Sequence, residues 1–281
     1  MSALILDGRK TRHELMPDLV ARVKQLSHVP TLAIIQVGER PDSTAFIDAK
    51  KRFAAKIGVN VEHVKLPESV TEADILKTIN DRNDNPAVRG IIVQLPLPLL
   101  LERETILEMI DSNKDVDGLT SLNVKRWLEG NERAVMPATA RGIREMLAHY
   151  SVPLFQKKVV LIGRSMLVGK PIAAMCLAEN ATLTVCHSRT PDLAKETVSA
   201  DVIIVAAGKP GLVGAGHVTA GQTVVDVGIS TTAAGQMVGD VDFAAVSEIV
   251  SAISPVPGGV GPMTVLALFE NFVDLAAQEL E

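Results

Sequence analysis

The chain has 281 residues, more than one compact core usually holds at about 100–200 residues per domain, so two domains are expected. A composition that is 47% hydrophobic and 22% charged excludes a disordered chain, and 3% aromatics leaves a core of Val, Ile, Leu and Ala, which favours buried parallel strands covered by helices. The net charge of −5, with no concentration of Lys and Arg, argues against a nucleic-acid partner, and no apolar run approaches the about 18–20 residues that span a bilayer.

In the first half, residues 8–26 read as a helix, with Leu15, Leu19, Val20, Val23 and Leu26 on one stripe. A strand over 31–37, a helix over 43–57, a strand over 59–66 and a helix over 73–80 follow. A strand over 88–95 is ended by Pro96 and Pro98, which cannot continue a ladder. A polar, turn-rich stretch over 111–120 precedes a helix around 124–128, and the crossing to the second domain is expected at 136–139. In the second half, strands are expected at 158–162, 182–186, 202–206 and 223–227, with a helix over 168–178. After the Pro/Gly-rich segment 255–262, a closing helix over 263–280 is expected to return to the first domain. There is no internal repeat and no low-complexity tract. The N terminus carries no targeting pattern, and Cys176 and Cys186 give neither a disulfide framework nor metal-ligand spacing, so a cytoplasmic setting and no metal are expected.

Strand residues Val159-Val160-Leu161-Ile162 run into Gly163-Arg164-Ser165, and Val168-Gly169-Lys170-Pro171 opens a helix. That strand, glycine turn and helix bring backbone N–H groups to a pyrophosphate, with Pro171 suited to a first helical turn. The pattern departs from GxGxxG, and a plain βα turn is the bland reading. The next strand ends in His187-Ser188-Arg189-Thr190, with no acid there to bind ribose hydroxyls. A hydroxyl and a guanidinium suit a 2′-phosphate, so NADP is expected over NAD unless Arg189 is only a solvated loop charge.

The helix over 43–57 carries Phe46, Lys50, Phe53, Ala54 and Ile57 on one face, with Lys50 between the phenylalanines. A lysine held from water has its charged form disfavoured and becomes usable for proton transfer; the alternative is a side chain that snorkels from a core edge. Gln94 closes a buried strand at the end where α/β sites assemble, or is a simple strand-end hydrogen-bonding residue. Lys114-Asp115-Val116-Asp117-Gly118 offers two acids but no calcium-loop spacing.

Together these segments resemble the bifunctional methylenetetrahydrofolate dehydrogenase/methenyltetrahydrofolate cyclohydrolase family over essentially the whole chain. The marks are Ile5-Leu6-Asp7-Gly8, the helix from Ser43 to Lys50, Gly90-Ile91-Ile92-Val93-Gln94-Leu95-Pro96-Leu97-Pro98 and the Lys114 to Gly118 run. The Gly163 turn and the long, specific Pro255-Val256-Pro257-Gly258-Gly259-Val260-Gly261-Pro262-Met263-Thr264 complete them. The resemblance implies an α/β fold of two domains. These are a catalytic folate domain over 1–137 with the C-terminal helix 263–281, and a Rossmann-like NADP-binding domain with a parallel sheet over 138–262, with the folate cleft between them. It implies that NADP oxidises the methylene bridge of the folate and that water then opens the methenyl product to 10-formyltetrahydrofolate. In such enzymes the residue matching Lys50 moves the proton in hydrolysis, that matching Gln94 tunes it, and that matching Asp117 holds the pterin. Ser43, Phe46, Pro257, Gly258 and Gly259 are implied in substrate binding; Gly163, Arg164, Ser165, Ser188, Arg189 and Ile229 in cofactor binding; a metal-free homodimer is implied as well.

The family's helix usually has tyrosine where this chain has Phe46, and its Pro-Cys-Thr-Pro crossing is Pro137-Ala138-Thr139-Ala140 here. Loss of that hydroxyl leaves a monofunctional NADP dehydrogenase with weak cyclohydrolase activity as one alternative. A catalytically silent folate or nucleotide binder is another, and a two-domain hydroxyacid dehydrogenase a remoter one, for which no His–carboxylate pair can be assigned.

Overall fold

A computed structural model describes residues 2–131, 133–232 and 234–278, with only the backbone of Asp42. The first elements are β1 (Leu4–Ile5), α1 (Gly8–Lys24), β2 (Thr31–Val37), α2 (Pro41–Ile57), β3 (Asn60–Leu66), α3 (Glu72–Asn83) and β4 (Val88–Val93). Then come α4 (Arg103–Glu108), α5 (Ser121–Leu128), α6 (Ala138–His149), β5 (Lys158–Ile162), α7 (Gly169–Ala178) and β6 (Thr182–Cys186). The chain continues through α8 (Leu193–Thr197), β7 (Val202–Val205), β8 (Thr223–Asp226), β9 (Ser230–Thr231), β10 (Met237–Val238), α9 (Phe243–Ser247), β11 (Ala252–Ile253) and α10 (Val260–Ala277). It forms two compact units, Met1–Glu14 with Thr139–Thr264, and Leu15–Ala138 with Val265–Glu281.

The second of these, which we call the lysine unit, is built on a parallel sheet of order β3-β2-β4. Leu32, Ala33, Ile34 and Ile35 of β2 are fully buried, as a strand covered on both faces requires. The C-terminal helix supplies much of the cover. Phe269 stacks on Phe53 with centroids 5.3 Å apart, and Asn271 Nδ2 donates to the carbonyls of Val116 and Met136, both at 2.9 Å. Phe269 and Phe272 have 0% exposure, so each burial stabilises this unit by about 2–3 kcal/mol. Gly90 makes the packing possible, because a Cβ there would sit 2.6 Å from both Phe272 Cδ2 and Val116 Cγ1. A Gly90→Ala change would force that layer apart. The expected return of the closing helix to the first domain is thus observed. It begins at Val260, inside the Pro/Gly-rich stretch, since Pro262 is tolerated in a first turn; the expected end at Leu280 lies outside the described residues. With 18 residues and mean hydropathy 1.3, α10 has the length and composition of a bilayer span, beyond what the sequence reading allows for, but more than half of it is buried in protein.

The other unit, the glycine-turn unit, has a parallel sheet of order β1-β11-β8-β7-β5-β6. Its core gathers Val160, Ile162, Ile203, Val205, Val224, Val246 and Ile253. The sequence reading keeps residues 1–14 with the first domain, whereas β1 pairs in register with β11, Leu4 with Ala252 and Ile5 with Ile253. Tyr150 adds a second anchor: its hydroxyl accepts the Asp7 N–H at 3.1 Å and donates to the Asp7 carbonyl at 3.3 Å. A two-residue edge strand has too little pattern to be read locally. The helix α6, also unforeseen, packs closely on the start of α10: a Cβ on Gly142 would lie 2.7 Å from the Met263 backbone.

Candidate active site

In the lysine unit, α2 starts with Pro41 in its first turn and ends at Gly58, whose left-handed φ of 83° stops the helix while its N–H caps the Ala54 carbonyl. The stripe that this helix buries differs from the expected one. Ser43, Ile47, Phe53, Ala54 and Ile57 face the core, whereas Phe46 is 38% exposed and Lys50 half-buried. Phe46 and Lys50 therefore occupy the border of the apolar face, one helical turn apart, because the buried set advances from 43 to 47 to 54.

Lys50 is held from β4. Its Nζ donates to Gln94 Oε1 at 3.0 Å, and Gln94 Nε2 donates to the Leu95 carbonyl at 2.8 Å, which fixes the amide's orientation. Gln94 itself is buried and its N–H donates to the Ile35 carbonyl, so the anchor is part of the sheet. Desolvation lowers the Lys50 pKa below the usual lysine range, and the nearby Asp117 carboxylate partly opposes it. Asp117 moves the other way: burial raises its pKa, against the pull of Lys50, with Asp115 raising it further. Asp117 is half-buried and its carboxylate has no hydrogen-bond partner among the described residues. An ammonium with unused N–H groups beside a carboxylate with unused lone pairs can bind a polar ring and exchange protons with it.

Lys114 and Asp115, from the same run, do other work. Lys114 Nζ donates to the carbonyls of Arg82, Asn83 and Asn85, and Asp115 Oδ2 accepts from the Thr120 N–H, the Thr120 hydroxyl and Asn123 Nδ2. They are structural.

In the glycine-turn unit the strands are parallel, so the C-terminal ends of β6, β5, β7 and β8 line one edge in that order. Gly163 leaves β5 with φ 127°, and a Cβ there would lie 2.1 Å from the Ala206 carbonyl oxygen. Only glycine fits between β5 and β7 at that point. Ser165 Oγ accepts the Gly169 N–H at 3.3 Å at the head of α7. Arg164, Ser165, Ser188 and Arg189 are exposed along this edge, and Ile229 follows β8 at 44% exposure. The loop after β6 is set by the His187 N–H donating to Thr190 Oγ1 at 2.9 Å and the Arg189 N–H donating to His187 Nδ1 at 3.2 Å, which leaves the Arg189 guanidinium without a partner among the described residues. A glycine cradle, serine hydroxyls and a free guanidinium fit a phosphorylated dinucleotide. Pro257, Gly258 and Gly259 also lie in this unit, on the loop after β11. Pro257 is exposed, the Gly258 carbonyl accepts the Arg9 N–H at 3.2 Å, and Gly259 is packed against Pro255.

The structure thus joins Lys50, Gln94 and Asp117 in one unit, and the Gly163 turn with the Ser188 and Ile229 loops in the other. Sequence reasoning overlooks Asp226 and Asp240, buried carboxylates at the same edge as Ile229. The pairing of Asp226-Val227-Gly228 with Gly239-Asp240 was the available signal.

Two family profiles match this chain, one described as tetrahydrofolate dehydrogenase/cyclohydrolase, catalytic domain, over residues 6–117, the other as the NAD(P)-binding domain of the same family over 137–280. A protein of Lacticaseibacillus paracasei called bifunctional protein FolD is 43% identical over 274 residues, 96% of each chain. The crystal structure of the bifunctional FolD methylenetetrahydrofolate dehydrogenase/cyclohydrolase from Campylobacter jejuni superposes with a TM-score of 0.96 at 40% identity, covering 99% of this chain and 100% of that one. The Trypanosoma brucei FolD, solved with NADP cofactor and inhibitor, gives 0.93 at 33% identity, covering 98% of each chain.

Proposed function

This chain belongs to the tetrahydrofolate dehydrogenase/cyclohydrolase family, and from that premise we propose how its residues divide the two activities. It is a bifunctional enzyme that oxidises 5,10-methylenetetrahydrofolate to the 5,10-methenyl cation with NADP and hydrolyses that cation to 10-formyltetrahydrofolate.

The folate-handling residues are Lys50, Gln94 and Asp117. Asp117, an acceptor with free lone pairs, takes the N–H donors of the pterin and sets its orientation. Phe46, one turn before Lys50 and open to solvent, offers a ring for the flat heterocycle to stack on. When bound, NADP would supply the hydride acceptor for oxidation of the methylene carbon. In the second step water adds to the methenyl carbon; Lys50 takes a proton from the adding water and returns one to the ring nitrogen as its bond to that carbon breaks, with one proton released overall. Gln94 takes one N–H of the amine and keeps it aimed, which leaves the nitrogen lone pair for the proton of the adding water. The observation that carries this reading is the 3.0 Å contact between Lys50 Nζ and Gln94 Oε1, near an Asp117 carboxylate that has no hydrogen-bond partner among the described residues.

The residues that would hold NADP are Gly163, Arg164 and Ser165 at its pyrophosphate, Ser188 and Arg189 at its 2′-phosphate, and Ile229 at its nicotinamide half. Further folate-binding candidates are Ser43 in the lysine unit and, in the glycine-turn unit, Pro257, Gly258 and Gly259. In functional terms residues 1–137 with 263–281 carry the folate chemistry and 138–262 the cofactor, with β1 lent to the cofactor sheet. We further propose a cytoplasmic homodimer. Strand β6 ends its sheet among the described residues, and Val185 on it and Leu177 on the neighbouring α7 are exposed, which is what a second copy would cover.

A dehydrogenase without hydrolysis and a silent binder are not favoured, since Lys50 and its anchor do not depend on a hydroxyl at position 46. Separate assays for NADPH formation and for loss of the methenyl absorbance test the assignment. Both should proceed; hydrolysis no faster than in buffer would refute the role given to Lys50.

A further inference from the structure

Two aspartates at the cofactor edge do something that neither the glycine turn nor the exposed residues account for. Asp226 ends β8, and Asp240 follows β10. Asp226 Oδ1 accepts the N–H groups of Gly228 at 2.9 Å and Asp240 at 3.0 Å, and its Oδ2 accepts that of Val241 at 3.0 Å. Asp240 Oδ2 accepts the N–H groups of Ala207 at 2.7 Å and Gly208 at 2.8 Å, on the loop that follows β7. Each carboxylate also lies over the other segment's glycine. A Cβ on Gly239 would be 1.9 Å from Asp226 Oδ2, and a Cβ on Gly228 would be 2.2 Å from Asp240 Cγ. The two loops are thus clasped reciprocally, and the clasp closes the segment that starts with Ile229.

Such a pair is a poor device for stability alone. Asp226 is 3% and Asp240 0% exposed, and Asp240 Oδ1 is buried without a hydrogen-bond partner among the described residues. Burial pushes the Asp226 carboxyl up to about 6; the three backbone N–H bonds oppose this, and the charge of Asp240 adds to it. Among the described residues no cation pairs with either carboxylate, so apolar residues of similar size would be cheaper to bury. Their location supplies the reason. The loops they join, 206–208 and 227–229, follow adjacent strands β7 and β8, and Ala206 is the residue against which Gly163 is wedged.

Resting on the NADP reading of this edge, we infer that Asp226 and Asp240 are positioning residues for the dehydrogenase step, a carboxylate clasp that holds the 206–208 and 227–229 loops where the nicotinamide half of NADP docks. They touch backbone amides, and they act on the reaction only through the placement of the loops. Folate hydrolysis needs no nicotinamide, so the clasp serves one activity and not the other.

The experiment compares both activities of the full-length enzyme in Asp240→Ala, Asp240→Asn and Asp226→Asn. Asp240→Ala removes the acceptor for two amides and should raise KM for NADP about tenfold or more, while kcat for hydrolysis of added methenyltetrahydrofolate stays within about twofold. Asp240→Asn keeps one oxygen for both amides and puts its NH2 group where Oδ1 was, so KM for NADP should return to within about threefold of the parent. Asp226→Asn turns a donor against the Val241 N–H and should raise KM for NADP about threefold or more with hydrolysis unchanged. A normal KM for NADP in folded Asp226→Asn, or equal losses of both activities in Asp240→Ala that Asp240→Asn does not restore, overturns the inference. Should Asp240→Ala fail to fold, the Asp226→Asn result decides alone. Failure of the NADP reading itself would look different, since the parent enzyme would then show no saturable dependence on NADP.

Discussion

Lys50 with Asp117 and Lys114 with Asp115 make two lysine–aspartate sets in one unit, and they differ in what they leave unused. Desolvation lowers the pKa of both lysines. Lys114 spends its donors on three backbone carbonyls, and Asp115 takes three hydrogen bonds on one oxygen. Lys50 makes one hydrogen bond, to Gln94, and Asp117 makes none from its side chain among the described residues. A shifted pKa marks burial in both places. Spare hydrogen-bonding capacity separates a site from a strut, because only unfilled donors and acceptors can be filled by a substrate.

That contrast breaks most directly at the lysines. Lys50→Met should lower hydrolysis by about a hundredfold or more, the ordinary worth of a positioned proton carrier, while folate binding largely survives. Retained hydrolysis in that variant would mean that another group moves the proton. Lys114→Met should do the reverse. Stripping a donor from three carbonyls of a buried segment should cost about 3 kcal/mol of stability, read as a lowered midpoint in urea, with turnover per folded molecule close to normal. If Lys114→Met instead abolished turnover at full stability, the distinction between the two sets would be wrong.

The aspartates sharpen it further. Asp117→Asn should raise KM for folate about tenfold with little change in stability, since an amide presents a donor where the pterin's donors dock. The same variant tests the charge coupling. Asp117 raises the Lys50 pKa, so removing its charge lets that pKa fall further. Because the free amine accepts the proton, hydrolysis declines as pH drops through the Lys50 pKa, and the declining limb should move to lower pH in Asp117→Asn. A limb that stays in place would separate the two groups electrically. The smallest effect is expected at the other unit's spare group: Arg189→Ala should cut the preference for NADP over NAD by about tenfold or less, as befits an exposed charge. An unchanged preference would leave Arg189 as a solvated loop residue.

Much of this molecule was legible without coordinates, for a local reason. Strands such as Thr31–Val37 and Lys158–Ile162 announce themselves as apolar runs bounded by turn residues, and the Gly163 turn is recognisable because one strand, one glycine and one helix start are contiguous. Lys50 stands out because a charge interrupts an apolar face within a few turns of one helix. What depends on partners distant in the chain was not legible. Which members of the Lys114 to Asp117 run are filled depends on Arg82, Asn83, Thr120 and Asn123; the placement of residues 1–14 depends on a two-residue pairing with Ala252 and Ile253; the carboxylate clasp depends on two glycines more than ten residues apart in their loops. Periodicity reports which face a residue is on. Only the folded chain decides whether the groups it meets there use up its hydrogen bonds or leave them open, because that depends on chain segments brought together by long-range closure.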